Sequence, residues 1–185
     1  MKHTFWEEIL MDDKKRNILF TEEQIKERVA ELGKVITEDY KDKNLYVLPL
    51  LRGSFVFGAD LFKAIDCKAQ VGFMTTSSYG NAEVSSGIVK VVNDIPDNIE
   101  GLDVLIVDDI IDTGYTMKFV IDYVMKKGAK SVKTCVLLDK PSRRKVDLKP
   151  DYCCFEIEDL FVVGYGLDYE NYYRNVPYVF NWEAN

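Results

Sequence analysis

The chain has 185 residues, 47% of them hydrophobic and 12% aromatic, which suffices for one sizeable core and predicts a single domain with a small appendage. A formal net charge of −7 and a pI near 4.9 set the overall field against nucleic-acid phosphates and exclude a nucleic-acid partner. The one histidine, His3, stands close to the start of the chain, which excludes histidine acid–base chemistry and histidine-ligated zinc.

Near the start, Glu7, Glu8, Asp12 and Asp13 occupy the place where a secretory signal would need its apolar stretch, and no run anywhere approaches the length of a membrane span. Thr21 and Gln24 have the spacing of a capping box, and Ile25, Val29, Leu32 and Ile36 follow at helical spacing, which predicts an amphipathic helix to about Asp39. Residues 45–51 form a short apolar run, then come Arg52-Gly53-Ser54 and a second helix whose apolar face is expected at Phe55, Ala59, Phe62 and Ile65. Residues 71–76 read as a strand, 76–86 as a serine-rich mobile loop and 88–92 as the hairpin partner. A buried strand at 104–107 follows, then a helix over about 116–127 stopped by Gly128, then a strand at 132–138. Alternating strands and helices predict an α/β fold, a mostly parallel twisted sheet flanked by helices on both faces. From Asp151 onward the pattern changes to short strands and loops rich in Tyr and Phe. It is expected as a small lobe over the carboxyl edge of the sheet, joined by N-terminal residues, with the core at about 21–150 and the lobe at about 151–185. Cys67, Cys135, Cys153 and Cys154 show no C-x-x-C spacing and are expected as reduced thiols of a cytoplasmic protein.

The chemistry concentrates after residues 104–107. That run is apolar throughout, as a strand buried on both faces should be, and it gives way abruptly to Asp108-Asp109-Ile110-Ile111-Asp112-Thr113-Gly114-Tyr115-Thr116. Ligands of open α/β sheets bind at such carboxyl ends. Gly114 permits a tight turn and both threonines offer hydroxyls, which is the composition of a phosphate cradle. Three carboxylates beside a phosphate make sense if the anion rests on backbone N–H groups of the next helix while the acids accept from sugar hydroxyls or face a divalent cation. The implied ligand is a phosphorylated sugar with Mg²⁺.

This segment closely resembles the phosphoribosyl-pyrophosphate signature of the purine phosphoribosyltransferases, in their hypoxanthine-guanine branch. Further motifs in the same order extend the resemblance from about Leu45 to Pro177. It implies the type I phosphoribosyltransferase fold, with the C-terminal lobe as its hood, and Mg²⁺-dependent transfer of phosphoribose to hypoxanthine or guanine in purine salvage by a homodimer or homotetramer. Leu51-Arg52-Gly53-Ser54 is similar to the pyrophosphate loop, in which an often cis peptide presents backbone N–H groups. Ser77-Ser78-Tyr79-Gly80 is similar to the flexible loop that closes over the reaction centre, giving Ser78 and Tyr79 substrate contacts. Asp112 then manages the proton at purine N7. Asp108 and Asp109 accept from the ribose hydroxyls and help fix the metal through water, and Thr113, Gly114, Tyr115 and Thr116 hold the 5′-phosphate. The resemblance further implies that Lys140 donates to the exocyclic O6, that Phe161 stacks on the base with Val162 offering backbone contacts, that Asp168 coordinates Mg²⁺, and that Arg174 binds pyrophosphate and steadies Asp168. The cluster Arg143, Arg144 and Lys145 is expected as a solvated loop or subunit contact.

Other nucleotide motifs are missing from the sequence. No G-x-x-x-x-G-K-[ST] stretch is present, and Gly164-x-Gly166 lacks the third glycine of a dinucleotide fold, since position 169 is Tyr. One rival is a non-catalytic, nucleotide-sensing regulator of the same fold that binds RNA; the acidic charge and the joint presence of Asp112, Lys140 and Asp168 count against it. The other is a phospho-acceptor receiver domain, which needs its acid pair after the first strand rather than this late.

Overall fold

A computed structural model describes residues 17–79 and 88–182. The expected features at residues 1–16, at Gly80 and the rest of the serine-rich loop through Gly87, and at 183–185 lie outside the described residues, as do the side chains of Ser78 and Tyr79.

A short strand, β1 (Asn17–Phe20), leads into α1 (Glu22–Tyr40). The capping box is present: Thr21 Oγ1 accepts from Gln24 N and Gln24 Oε1 accepts from Thr21 N, so two otherwise orphaned N–H groups are satisfied. Then follow β2 (Leu45–Leu51), α2 (Phe55–Ala64), β3 (Ala69–Val71), β4 (Met74–Tyr79), β5 (Ile88–Asn93), β6 (Asp103–Ile111), α3 (Tyr115–Lys126), β7 (Ser131–Asp139) and β8 (Tyr152–Glu156). Two short strands, β9 (Val162–Val163) and β10 (Val179–Asn181), complete the series.

The main sheet runs β5-β4-β2-β6-β7-β8, with β3 also paired to β2, and every pairing is parallel except β4 with β5. Its central strands are buried on both faces, and their side chains divide by parity. Leu45, Val47, Leu105 and Val107 join the core beneath α1 and α2, while Tyr46, Leu48, Val104 and Ile106 join the core beneath α3. The α/β architecture with helices on both faces is therefore the expected one. A separate sheet, β1-β10-β9, is antiparallel and forms the lobe; Asn17 pairs with Asn181, and Phe180 with Val163.

Four sequence expectations need correction. The buried face of α2 is Phe57, Gly58 and Leu61, with Phe55 exposed, because Gly58 lies directly on Pro49 of β2 and sets the helix phase; of the expected face only Ile65, just past the helix, is fully buried. The left-over apolar stripe, with Phe55, Phe62, Val71 and Phe73, lines an open groove of about 520 Å³. Strand structure continues through Thr76, Ser77, Ser78 and Tyr79 because β5 pairs with them, so the supposed loop begins later. The expected single strand at 71–76 is two, β3 alongside Leu45–Val47 and β4 alongside Leu50–Leu51. Finally, Tyr152–Glu156 belongs to the main sheet and not to the lobe: β8 pairs with β7, and its edge is held by Arg28 of α1, whose Nε and Nη2 donate to the carbonyls of Cys154 and Cys153.

All four cysteines are free, and burial pushes each thiol upward, that of Cys153 to about 11. No helix among the described residues is long and apolar enough to cross a membrane.

Candidate active site

At its carboxyl end β6 carries Asp108 and Asp109 within the strand itself, not after it, because parallel pairing with β7 persists to Ile111. Gly114 turns the chain into α3 at φ +86°, a left-handed conformation that disfavours side chains, and a Cβ there would also press on Arg144 and Val146. The first N–H groups of α3 have no acceptor within the helix, so they are open to an anion. A cavity of about 250 Å³ sits at this junction, lined by Thr76, Asp108 through Gly114, Thr116 and Met117. Thr76 and Met117 were not foreseen as site residues; Thr76 arrives only through the pairing of β4 with β2.

Asp108 and Asp109 are half-buried at the cavity floor. Each accepts from the next backbone N–H: Asp108 Oδ1 from Asp109 N at 3.0 Å, and Asp109 Oδ1 from Ile110 N at 2.8 Å. Burial, reinforced by the neighbouring charge of Asp109, pushes Asp108 well above the usual carboxylate range. Asp109 is also raised by burial, offset by its hydrogen bonds and by the charge of Arg174. Two crowded carboxylates in this state suit a hard, oxygen-seeking divalent cation, which would relieve both desolvation and mutual repulsion.

The Arg52-Gly53-Ser54 turn and the lobe meet at Asp109. The Leu51–Arg52 peptide is cis, Arg52 is exposed, and Ser54 is fully buried with its hydroxyl donating to Leu50 O at 2.5 Å. Gly53 lies so close to Asp109 that a Cβ would collide with its Oδ2, and Gly166 of the lobe rests on the Gly53 carbonyl. Arg174 reaches into the same place. Its Nη1 donates to Gly166 O at 2.6 Å and its Nη2 pairs with Asp168 Oδ1 at 2.5 Å, while Asp168 Oδ2 accepts from Asn171 N at 2.8 Å. The expected partnership of Arg174 with Asp168 is thus present, next to the loop and to Asp109.

On the other side of Asp112 two backbone hydrogen bonds, Lys140 N to Ile111 O at 3.0 Å and Lys145 N to Thr113 O at 2.9 Å, fasten the segment after β7 to the end of β6. Lys140 is thereby buried beside Asp112. A 3₁₀ turn over Pro141–Arg143 swings Arg143 back so that its Nε donates to Asp112 Oδ1 at 2.9 Å. Arg144 pairs with buried Asp139, and its Nε and Nη1 are buried without a partner among the described residues. Of the cluster expected as a solvated loop or subunit contact, Arg144 is taken out of solvent, while Arg143 keeps a side chain 41% exposed and Lys145 is exposed. Arg143 and Arg144 both face the site, because the 3₁₀ turn reverses the chain, and neither Asp139 nor Asp159 had been singled out.

Phe161 is 54% exposed, too open for a core residue, and its ring meets Tyr169 edge to face at 6.1 Å. Tyr169 stacks on Trp182 at 4.5 Å, and Trp182 N donates to Phe161 O at 2.7 Å, so the aromatic platform is braced from the chain's far end. Val162 is buried in β9. A larger cleft of about 560 Å³ between α1, α2 and the lobe shares only Arg174 with these residues.

A family model described as the phosphoribosyl transferase domain matches residues 16–170. The hypoxanthine-guanine phosphoribosyltransferase of Aquifex aeolicus is 51% identical over 168 residues, covering 90% of this chain and 94% of that protein. Its counterpart from Bacillus subtilis is 48% identical over 162 residues, covering 88% and 90%. The crystal structure of a hypoxanthine phosphoribosyltransferase from Staphylococcus aureus superposes with a TM-score of 0.87 at 42% identity, covering 90% of this chain and 91% of that one. With the family model matched over residues 16–170 and relatives about half identical over nearly their whole length, the chain belongs to the phosphoribosyltransferase family, in its hypoxanthine-guanine branch.

Proposed function

We propose that this chain catalyses transfer of the 5-phosphoribosyl group from phosphoribosyl pyrophosphate to N9 of hypoxanthine and/or guanine, yielding IMP or GMP and pyrophosphate, a purine-salvage reaction. The observation that carries this reading is the cavity at the end of β6, where two crowded carboxylates, the open amide end of α3 and Asp112 converge, with the segment of Lys140 fastened to the end of the same strand.

The 5′-phosphate rests on backbone N–H groups of Thr113, Gly114, Tyr115 and Thr116 and on the threonine hydroxyls. Asp108 and Asp109 accept from the ribose 2′ and 3′ hydroxyls. Enzymes of this family need a divalent metal, and Mg²⁺ here would supply positive charge that neutralises the leaving diphosphate. Asp168, with Asp108 and Asp109 through water, is where this chain would hold it. As the C1′–oxygen bond to pyrophosphate breaks, Arg174 and the Arg52-Gly53 amides neutralise the leaving diphosphate, and the purine N9 forms its bond to the opposite face of C1′. Asp112 takes or shares the proton at N7. Lys140 donates to O6, and a 6-amino group cannot accept that bond, so adenine is refused. Phe161 stacks on the base beside Val162, and Ser78 and Tyr79 belong to a segment that keeps water from the activated sugar.

The whole chain acts as one cytoplasmic phosphoribosyltransferase domain, and its apolar stripe of exposed Phe55, Val71 and Phe73 with half-buried Phe62 is the surface a homodimer or homotetramer would cover. The regulator alternative draws no support from the relatives, which are transferases by name. An ultraviolet assay with phosphoribosyl pyrophosphate and Mg²⁺, offering hypoxanthine, guanine, xanthine and adenine separately, tests the reading. Turnover of 6-oxopurines alone is expected; no turnover of any base, with the sugar phosphate still bound, would sink it.

A further inference from the structure

Four charged side chains alternate in sign around the corner where the base would sit. Asp112 Oδ1 accepts from Arg143 Nε at 2.9 Å, Arg143 Nη1 donates to Asp159 Oδ2 at 3.3 Å, and Asp159 Oδ1 lies 3.8 Å from Lys140 Nζ. We propose that Arg143 and Asp159 are positioning residues, a bridge that holds Asp112 and Lys140 as one acceptor–donor unit and thereby sets selection for a base with a ring N–H beside a carbonyl oxygen. The inference rests on the function proposed above and adds two residues to it.

How the bridge spends its hydrogen bonds supports this. Arg143 occupies only Oδ1 of Asp112; among the described residues Oδ2 makes no hydrogen bond and stays open to an incoming N–H. Lys140 is held at 3.8 Å, beyond hydrogen-bond length, so its ammonium is directed while its donors remain free. Asp159 divides its two oxygens between Lys140 and Arg143, and Arg143 uses two different nitrogens on two carboxylates. A planar guanidinium engaged in this way has a fixed orientation that a flexible ammonium would lack. Bridge and donor differ in exposure: the Lys140 side chain is 10% exposed and that of Asp159 52%, so the bridge anchors a nearly buried donor from its solvent side. At such exposure its contribution to stability is small, and its effect falls on geometry. The O6 and N7 atoms of a purine are neighbours on one edge, and a donor and an acceptor tied together match that edge as a pair. Adenine offers an amino group where the donor points.

Steady-state kinetics of the full chain with phosphoribosyl pyrophosphate and Mg²⁺, on Arg143→Ala, Asp159→Ala, their double variant and Asp159→Glu, tests the proposal. Each single alanine variant is expected to raise KM for hypoxanthine about tenfold, with KM for phosphoribosyl pyrophosphate within about twofold of the parent. The double variant is expected to be no worse than the poorer single one, since either change breaks the bridge, and Asp159→Glu recovers most of the loss. Melting temperatures are compared in parallel, and if an alanine variant melts early the near-isosteric Asp159→Asn carries the same test. Additive losses, an equal rise in KM for the sugar phosphate, or an unchanged KM for hypoxanthine in a parent that turns it over would overturn the bridge alone. A parent that turns over no base would overturn the function proposed above and the bridge with it.

Discussion

The end of the site proposed to take the sugar and the end proposed to take the base treat their carboxylates in opposite ways. At the sugar end Asp108 and Asp109 lie side by side with backbone N–H groups as hydrogen-bond donors, and neither forms an ion pair among the described residues. At the base end Asp112, Asp139 and Asp159 are each paired with Arg143, Arg144 or Lys140. On the function proposed above, the sugar end holds surplus negative charge at a cost that a cation arriving with the substrate would remove, whereas the base end is neutralised by the chain itself and would meet an uncharged base through directed hydrogen bonds. One end is completed by its ligand and the other is built beforehand.

The strongest way to break that contrast is to remove the carboxylate proposed to take the base proton. Asp112→Asn keeps an oxygen for Arg143 but cannot take a proton, and turnover of hypoxanthine is expected to fall about a thousandfold. A kcat within tenfold of the parent would mean that the proton leaves by another route. Next in size is Lys140→Ala. Loss of the buried donor proposed to meet O6 should lower kcat/KM for hypoxanthine about a hundredfold and leave KM for the sugar phosphate unchanged. If both Michaelis constants rise together, the two ends are not separate.

How much of this was legible in the sequence follows the same division. The end of β6 could be read because its strand, acids, glycine and threonines are contiguous, and the chain that forms the cradle is the chain that displays it. The capping box of α1 was readable for the same reason. At the base end Asp112, Lys140 and Phe161 were named through the family resemblance, but their charged partners were not, because the pairing of Arg143 with Asp112 spans 31 residues and that with Asp159 spans 16, and only the turn after β7 brings them together. Arg143 and Arg144 in isolation are indistinguishable from a solvated basic run. A similar blindness misplaced the face of α2: Phe55, Ala59 and Phe62 have helical spacing as good as that of Phe57 and Leu61, and contact of Gly58 with Pro49 decides between them. β8 looked like lobe because nothing local in Tyr152–Glu156 says which sheet it joins; Arg28, far away on α1, helps to hold it.

A smaller effect sharpens the comparison from the sugar end. Gly53 packs on the Asp109 carboxylate, so Gly53→Ala must push that short side chain aside and disturb the loop beneath Gly166. KM for phosphoribosyl pyrophosphate should rise about tenfold while KM for hypoxanthine holds, the mirror image of the Lys140→Ala result. Kinetics with each substrate varied in turn would show whether the loop serves the sugar end alone.

The smallest effect is thermodynamic and bears directly on the surplus charge. Asp108 has its carboxyl raised above the value of an unfolded chain, about 3.9, chiefly by burial and then by Asp109. A raised carboxyl means that the native state resists ionisation, so stability is lost as pH climbs from about 4 through the raised native value. Asp108→Asn carries no such charge and escapes the loss. In metal-free protein the variant should melt a few degrees above the parent at pH 8, with the gap narrowing towards pH 5, where more of the native Asp108 is protonated. Adding Mg²⁺ should stabilise the parent more than the variant, because only the parent has both carboxylates to offer the ion. Thermal melts in chelator and in Mg²⁺ at the two pH values separate these terms. If the metal-free variant melted below the parent at pH 8, Asp108 would be held by a favourable partner, and the sugar end would be prebuilt like the base end.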